Sequence, residues 1–450
     1  MHENNIPYFR SFVHGVNIKI PLPIGKYVSE INFDNAATTP PLNSVLNEIL
    51  AFSPMYSSIH RGTGFKSRYS SMLYENSRQL VAKFVGADLS KDVVIFVKNT
   101  TEAINKLSYR LEKRGRRNII LSTGMEHHSN DLPWRNRFRV DYIDIDKKGR
   151  ISLKDLEYKL RRYGNNVRLV AVTGASNVTG YLNPIDKIAK LVHKYGSEIL
   201  VDGAQLVAHT PVNMKPNNSN EHIDYLVFSA HKMYAPFGTG VLIGPKTSFE
   251  NGSPDYTGGG TVDIVTHNYV RWAEPPHKEE AGSPNIIGVI ALSAAIKTLL
   301  SLGIENIHKH EKILTKYAIE GLKSVPDIEL YGDTDRYDDR VGIITFNING
   351  IHHETLANVL SFEAGIAVRN GCFCAHPYLH SLLNVNKEVI DQRIKDPSLP
   401  HPGMVRISFG MYNNIDEINT LINALKIISS NKKYFLKKYD HLNNDKRIIS

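Results

Sequence analysis

Cysteine is nearly absent from this chain. Only Cys372 and Cys374 occur among 450 residues, so no disulfide framework can hold the fold, and a pair two residues apart is poorly placed to bridge itself. Any thiol must be explained by packing or by chemistry. No uninterrupted apolar run reaches the ~18 residues needed to span a bilayer, and the opening MHENNIPYFRSF lacks the charged-then-apolar pattern of a signal segment. Internal repeats and low-complexity tracts are missing. Metal-ligand spacing is missing too: no histidine–carboxylate set shows it, and Cys-x-Cys alone is a poor zinc site. These absences predict a cytoplasmic, reduced protein with no membrane partner.

What is present is ordinary in amount. Hydrophobic residues make up 42% and charged residues 22%, which excludes wholesale disorder. At ~100–200 residues per domain the length suits two domains. The formal charge of +9 raises the question of polyanions. Basic residues are nevertheless scattered, apart from 113–117 (KRGRR) and the tail 432–447. Neither run sits in a nucleic-acid-binding motif, so the charge reads as solvated surface with a frayed basic C-terminus and no nucleic-acid partner.

From about residue 90, short apolar runs alternate with amphipathic stretches. The runs are 93–97 (VVIFV), 118–122, 142–145, 169–173 (LVAVT), 198–202 (EILVD), 225–229 (YLVFS) and 240–244. Continuous apolar runs suit strands covered on both faces. Helical stretches at 101–113 and 184–195, with Pro184 suited to a first turn, complete a strand–helix alternation. The pattern predicts an α/β domain with a large, mostly parallel sheet. Beyond residue 300 the order changes to helix 306–324, strands 328–330, 341–348, 365–368 and 404–409, and helices 353–363 and 415–429, a smaller α+β domain. The stretch 386–403, with Pro397, Pro400 and Pro402, reads as a long surface loop. The expected division is 1–49, packing with the small domain, then 50–305, then 306–450.

In an open α/β sheet, ligands gather beyond the carboxyl ends of the strands. Asp202 ends one predicted strand and Ser229-Ala230-His231-Lys232 ends another. A lysine in that position, followed by APFGTG, is either a surface lysine or a Schiff-base former whose neutral amine burial favours. Asp202 is either a helix cap or a partner for a pyridinium nitrogen. Asn99-Thr100-Thr101-Glu102 follows a strand and opens a helix, which presents free N–H groups to an anion or makes an ordinary cap. Arg369 and Arg406 flank the cysteines; each guanidinium is either ion-paired at the surface or a fork for a carboxylate. The cysteines themselves either pack as small hydrophobes or react, a choice their polar, Gly-bounded loop tips toward reactivity.

Ten stretches resemble, in order, the class V aminotransferase family of fold-type I pyridoxal 5'-phosphate (PLP) enzymes, and especially its cysteine desulfurases and selenocysteine lyases. They are FDNAATTP (33–40), SSIHRGTGFKS (57–67), KNTTEAIN (98–105), MEHHSNDLPW (125–134), ASNVTG (175–180), VDGAQ (201–205), SAHKMYAPFGTG (229–240), AGSPN (281–285), VRNGCFCAHP (368–377) and VRISFGMYN (405–413). The resemblance implies the PLP-dependent transferase fold of type I. It implies that Lys232 holds PLP covalently and moves the Cα proton, and that Asp202 pairs with the ring nitrogen. Gln205 and Asn177 would approach the ring hydroxyl, and His127 would stack on the ring. Thr100, Ser229 and His231 would hold the phosphate, completed by Ser283 from the other subunit of a homodimer. His128 reads as structural. Arg406, then Arg369, would take the substrate carboxylate, with Asn177 nearby. Cys374 aligns with the desulfurase nucleophile and Cys372 does not.

The implied activity converts L-cysteine to L-alanine, leaves a persulfide on Cys374 and delivers sulfur to an acceptor protein. The alternative is a selenocysteine lyase or other β-lyase needing no protein thiol. An epimerase, an aminotransferase or a non-catalytic scaffold on the same fold stand further off. The chain departs from the family where two histidines commonly precede the cysteine. Here Cys372-Phe373 stands instead, a GCFC string resembling the desulfurase domain of molybdenum-cofactor sulfurases. The interval from Cys374 to Arg406 is also longer than in compact desulfurases.

Overall fold

A computed structural model describes residues 6–23, 25–112, 115 and 117–439. Most of the basic run 113–117, and the tail beyond 439, lie outside the described residues.

All seven apolar runs become strands of one sheet: β1 (Asp92–Val97), β2 (Ile119–Thr123), β3 (Arg139–Ile143), β4 (Val167–Thr173), β5 (Glu198–Asp202), β6 (Tyr225–Ser229) and β7 (Gly240–Pro245). Their order is β1-β7-β6-β5-β4-β2-β3, and β7 alone runs antiparallel to its neighbours. The α/β class and mostly parallel sheet are thus as the sequence predicts. β3 begins three residues earlier than the apolar run suggested, because Arg139 and Val140 pair with Ile119 and Ile120 although their side chains are poorly covered.

The runs look continuous because alternate residues feed two different cores. Val94 and Phe96 of β1 face one apolar cluster, with Leu226 and Phe228 of β6. Val93, Ile95 and Val97 face the other, with Tyr225, Val227 and the helix residues Ala103, Ile104, Leu107 and Leu111. A strand buried on both faces has no reason to alternate.

Past residue 300, strands β8 (Ile328–Tyr331), β9 (Ile343–Ile348), β10 (Arg369–Gly371) and β11 (Met404–Ser408) form an antiparallel sheet in the order β8-β9-β11-β10. Helices Ile304–Leu322, His353–Ala364 and Ile415–Ser430 cover it around a third core. The N-terminal segment divides between cores. Ile31–Asn32 pairs with Ile366–Ala367 and Phe33 enters the third core, whereas Phe9, Val13, Leu42 and Val45 join the first.

Three expectations need correction. Residues 386–403 are not one loop: Lys387–Lys395 is a helix. All three prolines lie beyond it, so none removes one of its hydrogen bonds. Pro184 is the residue before helix Ile185–Lys194, not within its first turn. The described part of the basic tail is not frayed. Lys432–Tyr439 is a helix that buries Phe435 and Tyr439 in the third core, with Lys438 and the Tyr439 hydroxyl both on Glu363. No single described helix is long and apolar enough to cross a membrane.

One glycine decides how closely the sheet approaches the turn after β1. A Cβ on Gly240 would lie 2.7 Å from Asn99 Cα and 2.8 Å from its carbonyl carbon, and backbone cannot yield as a flexible side chain can. Gly240→Ala is expected to lower unfolding stability by about 1–3 kcal/mol, read as a lower urea midpoint at unchanged slope. An unmoved midpoint would show that the turn gives way freely.

Candidate active site

The carboxyl ends of β4, β5 and β6, with the turn after β1, open into a cavity of about 250 Å³. It is lined by Thr100, His127, Asn177, Asp202, Gln205, Ser229, His231, Lys232, Arg369, Cys374 and Arg406, every predicted site residue except Ser283. Ser283 lines separate depressions, one with Ser57–Arg61 and one with Tyr74 and Glu280.

Lys232 ends the 3₁₀ turn Ala230–Lys232 that follows β6. Enclosure holds its amine down to about 8, against the opposing pull of Asp202. Asp202 is buried at the end of β5 and accepts from the Ala204 N–H at 3.0 Å. Burial raises its pKa, while that N–H and Lys232 act the other way. Both side chains line the cavity, and their opposite charges act on each other.

At the other end, helix Thr100–Glu112 begins. The Thr100 N–H donates to Ser229 Oγ at 2.9 Å, and the two hydroxyls lie 2.7 Å apart. Asn99 Oδ1 accepts from the Glu102 N–H at 3.0 Å, so the cap reading of this turn is correct as well. Capping leaves room for an anion, because a helix N-terminus has several free N–H groups. His231 sits beside Thr38, Nδ1 to Oγ1 3.2 Å; burial, then Lys232, hold it down to about 4.

His127 follows from MEHHSN. Its Nδ1 accepts from the Ser129 N–H at 3.1 Å, and burial, reinforced by Lys232, holds it down to about 3. The ring is therefore neutral, and it lines the cavity. Behind it lies a residue that sequence reading passed over. Glu126 is buried and accepts from the Thr123 hydroxyl (2.5 Å), the Thr173 N–H (3.0 Å) and the Asn130 amide (2.6 Å). Burial pushes it up to about 8, and its bonds fix the segment that carries His127.

The arginines are unequal. Arg406, on β11, has a side chain 4% exposed, and Arg369, its cross-strand neighbour on β10, one 57% exposed. Arg406 donates to the Asn177 carbonyl (2.9 Å) and to Asp34 (3.2 Å), and lies over the Phe373 ring at 4.9 Å. Burial lowers it to about 10. Asp34, quoted above only as part of FDNAATTP, stands between both arginines, 3.6 Å from Arg369. The only signal for it was its place in that motif.

Phe373 and Cys374 both adopt left-handed backbone, φ 52° and 54°, which costs of order 1–3 kcal/mol for each non-glycine residue. Three bonds hold the turn: the Asn177 amide to the Phe373 carbonyl (2.8 Å), the His128 N–H to the Cys374 carbonyl (2.7 Å) and the Ala375 N–H to the Cys372 carbonyl (2.9 Å). Asn177 thus commits one of its two amide N–H groups to the cysteine turn. Cys374 is exposed and lines the cavity; Cys372 is buried, and burial pushes its thiol up to about 12.

A strand-end lysine and a buried aspartate thus share one cavity with a hydroxyl-lined helix start. The aminotransferase class-V model matches residues 31–421, and the chain belongs to that family of PLP-dependent enzymes. It is 34% identical over 403 residues to a cysteine desulfurase of Haloferax volcanii, covering 88% of each chain. It is also 34% identical over 420 residues to a probable cysteine desulfurase of Pyrococcus abyssi, covering 91% of this chain and 96% of the other. Among solved structures, the apo cysteine desulfurase of Thermococcus onnurineus NA1 superposes with a TM-score of 0.80 at 31% identity, covering 91% and 96%. The cysteine desulfurase CsdA (S-sulfonic acid) of Escherichia coli does so at 0.73 and 27%, covering 91% and 95%.

The residues present fit PLP on this chain's own evidence. Gln205 donates to the Ala36 carbonyl at 2.6 Å but leaves its Oε1 buried without a partner, as Arg406 does its Nε. Such orphaned polar atoms are uncommon in a buried site that is complete.

The contrast between the thiols is directly measurable. Iodoacetamide on the native protein is expected to label Cys374 at least tenfold faster than Cys372, with Cys372 labelled only on unfolding. Equal rates by peptide mass spectrometry would refute the assigned environments.

Proposed function

We propose that this chain is a PLP-dependent cysteine desulfurase that converts L-cysteine to L-alanine and holds the sulfur as a persulfide on Cys374. The observation that carries this reading is the exposed thiol of Cys374, set on a strained turn, facing the cavity that also contains Lys232. PLP bound here supplies an electron sink for the charge left when the substrate's Cα–H bond breaks.

In this reading Lys232 and Asp202 hold the cofactor's reactive end and ring nitrogen, and the neutral His127 ring covers its face. Gln205 and Asn177 stand at the ring hydroxyl, Asn177 through whatever capacity its bond to Phe373 leaves. Thr100, Ser229 and His231 take the phosphate. Arg406 orients the substrate carboxylate, assisted by Arg369, with Asp34 fixing the guanidinium between them. Lys232, as a neutral amine, removes the Cα proton and later returns it. The Cys374 thiolate attacks the substrate sulfur, so that one S–S bond forms as the C–S bond breaks. The carbon fragment keeps the bonding electron pair and takes up protons to leave as alanine. A thiolate is the natural acceptor for a soft sulfur.

Ser283 belongs, in this reading, to the partner's phosphate site in a homodimer. Its position outside its own chain's cavity supports that arrangement. The exposure of Cys374 suits hand-over of sulfur to an acceptor protein.

Cys374→Ala and Lys232→Ala are the deciding variants. With L-cysteine, the wild type is expected to yield alanine and protein-bound sulfane sulfur in step. Cys374→Ala should lose both by at least a hundredfold while keeping its bound cofactor, and Lys232→Ala should lose the cofactor's absorbance. Unchanged turnover of L-cysteine or L-selenocysteine by Cys374→Ala would replace the thiol mechanism with a lyase. Pyruvate and ammonia as main products would show β-elimination.

Lysine capture of an aldehyde requires the neutral amine. With Lys232 held down to about 8, its neutral fraction falls about tenfold per pH unit below that value. Stopped-flow mixing of PLP-free protein with PLP should therefore show a capture rate that climbs with pH to about 8 and then levels. A rate still rising tenfold per unit at pH 10 would mean an ordinary lysine.

A further inference from the structure

Cys372 and Cys374 are neighbours in sequence with different surroundings. Cys374 faces the cavity. Cys372 turns the other way, into a group of histidines drawn from two separate stretches of chain. Its Sγ lies 3.0 Å from His401 Nδ1 and 3.8 Å from His401 Nε2. His376, at the start of helix His376–Leu382, brings its ring to 4.9 Å of the His401 ring, centre to centre. One ligand atom from each of Cys372, His376 and His401 lies within 4.8 Å of the others. His380, one helical turn beyond His376, stacks 5.9 Å from His376 and 6.2 Å from His401.

The Cys372 thiol and His401 Nδ1 both face the Pro402 carbonyl, the thiol at 3.0 Å. Nδ1 lies 2.8 Å from the Pro402 carbonyl. A cation shared by the two side chains takes Nδ1, the nitrogen nearer the sulfur, in place of that carbonyl, and the proton then sits on Nε2. A tetrahedral zinc centre spaces its ligand atoms about 3.5 Å apart, and Cys372 Sγ lies 3.0 Å from His401 Nδ1.

The supporting layer is built in the same way. The His401 carbonyl faces His353 Nε2 at 3.0 Å, and His353 Nδ1 faces Asn370 Oδ1 at 3.2 Å. Gly403 lets that ring approach, since a Cβ there would lie 2.3 Å from His353 Nε2. Arg393 bonds the Leu399 carbonyl and so folds the segment after helix Lys387–Lys395 back toward Cys372. The His376 N–H points to His128 Nε2 at 3.3 Å.

We propose that Cys372, His376 and His401 form a binding site for a borderline-soft divalent cation, zinc above all, with water in the fourth position. One thiolate and two neutral imidazoles are a zinc donor set, not one for magnesium or calcium. Binding exchanges the Cys372 S–H bond for an S–metal bond and releases one proton to solvent. The cation joins the end of β10, the helix at His376 and the segment around His401, all bordering the turn that carries Cys374. A coordinated Cys372 is also withdrawn from disulfide formation and sulfur exchange with Cys374. The site is defined without reference to the reaction at Cys374.

Cobalt(II) is the probe. Full-length protein carrying its cofactor is stripped with EDTA, reduced, desalted and titrated with Co²⁺. The expected result is one Co²⁺ per chain with a thiolate-to-cobalt charge-transfer band and intense tetrahedral visible bands, displaced by Zn²⁺. Cys372→Ala should abolish the charge-transfer band and Cys374→Ala should keep it. His376→Ala and His401→Ala should each weaken binding at least tenfold. Near-ultraviolet circular dichroism checks that each variant is folded. Should Cys372→Ala fail that check, the two histidine variants and Cys374→Ala decide the matter. Absence of Co²⁺ binding would overturn the site. So would a thiolate band that survives Cys372→Ala, or one that needs Cys374. Metal bound without a thiolate band would also overturn it, and would point to the His60–Glu75–His277 group.

Discussion

The buried guanidinium of Arg406 holds the functional half of this molecule together. From β11 it reaches the Asn177 carbonyl, the Asp34 carboxylate and the face of Phe373. These three groups belong to the loop after β4, the N-terminal segment and the cysteine turn. A charge this deep is tolerable only when paired and hydrogen-bonded, so each contact is demanded by the others. Removing one leaves a stranded charge, which costs more than the lost contact alone. The cavity's shape is therefore a by-product of neutralising one cation.

The same economy explains the rest of the wall. Asn177 faces two ways, its carbonyl to Arg406 and its amide to Phe373. Glu126 takes bonds from Thr123, Asn130 and Thr173 and so couples the His127 segment to the end of β4. Rigid strand ends, not loops alone, thereby carry the groups that need accurate placement.

What the sequence disclosed and what it concealed divide along distance in the chain. Lys232, Asp202, Ser229 and Thr100 were legible because each ends or follows an apolar run, and parallel sheets put ligands at that edge. The polar, Gly-bounded loop pointed to a reactive thiol without saying which, so choosing Cys374 over Cys372 and Arg406 over Arg369 needed a family resemblance. Asp34 was illegible for a further reason. Its partners are more than 300 residues away, and pairing of that kind leaves no periodic trace. His401 was hidden in the same way: read along the chain, Cys372 and His376 lack metal spacing, and only the helix Lys387–Lys395 with its proline-rich return brings His401 back. The prolines had suggested a loop throughout, although they govern only the residues around themselves.

The turn at Phe373 and Cys374 carries a consequence for how such a protein can change. Glycine would adopt the same backbone without strain, so a drift toward glycine at either position would make the chain easier to fold. At position 374 that drift removes the thiol, and at 373 it removes the ring beneath Arg406. Selection for stability and selection for chemistry thus pull in opposite directions on two adjacent residues. A stabilised relative carrying glycine there would keep the architecture while losing the feature that makes the cavity reactive.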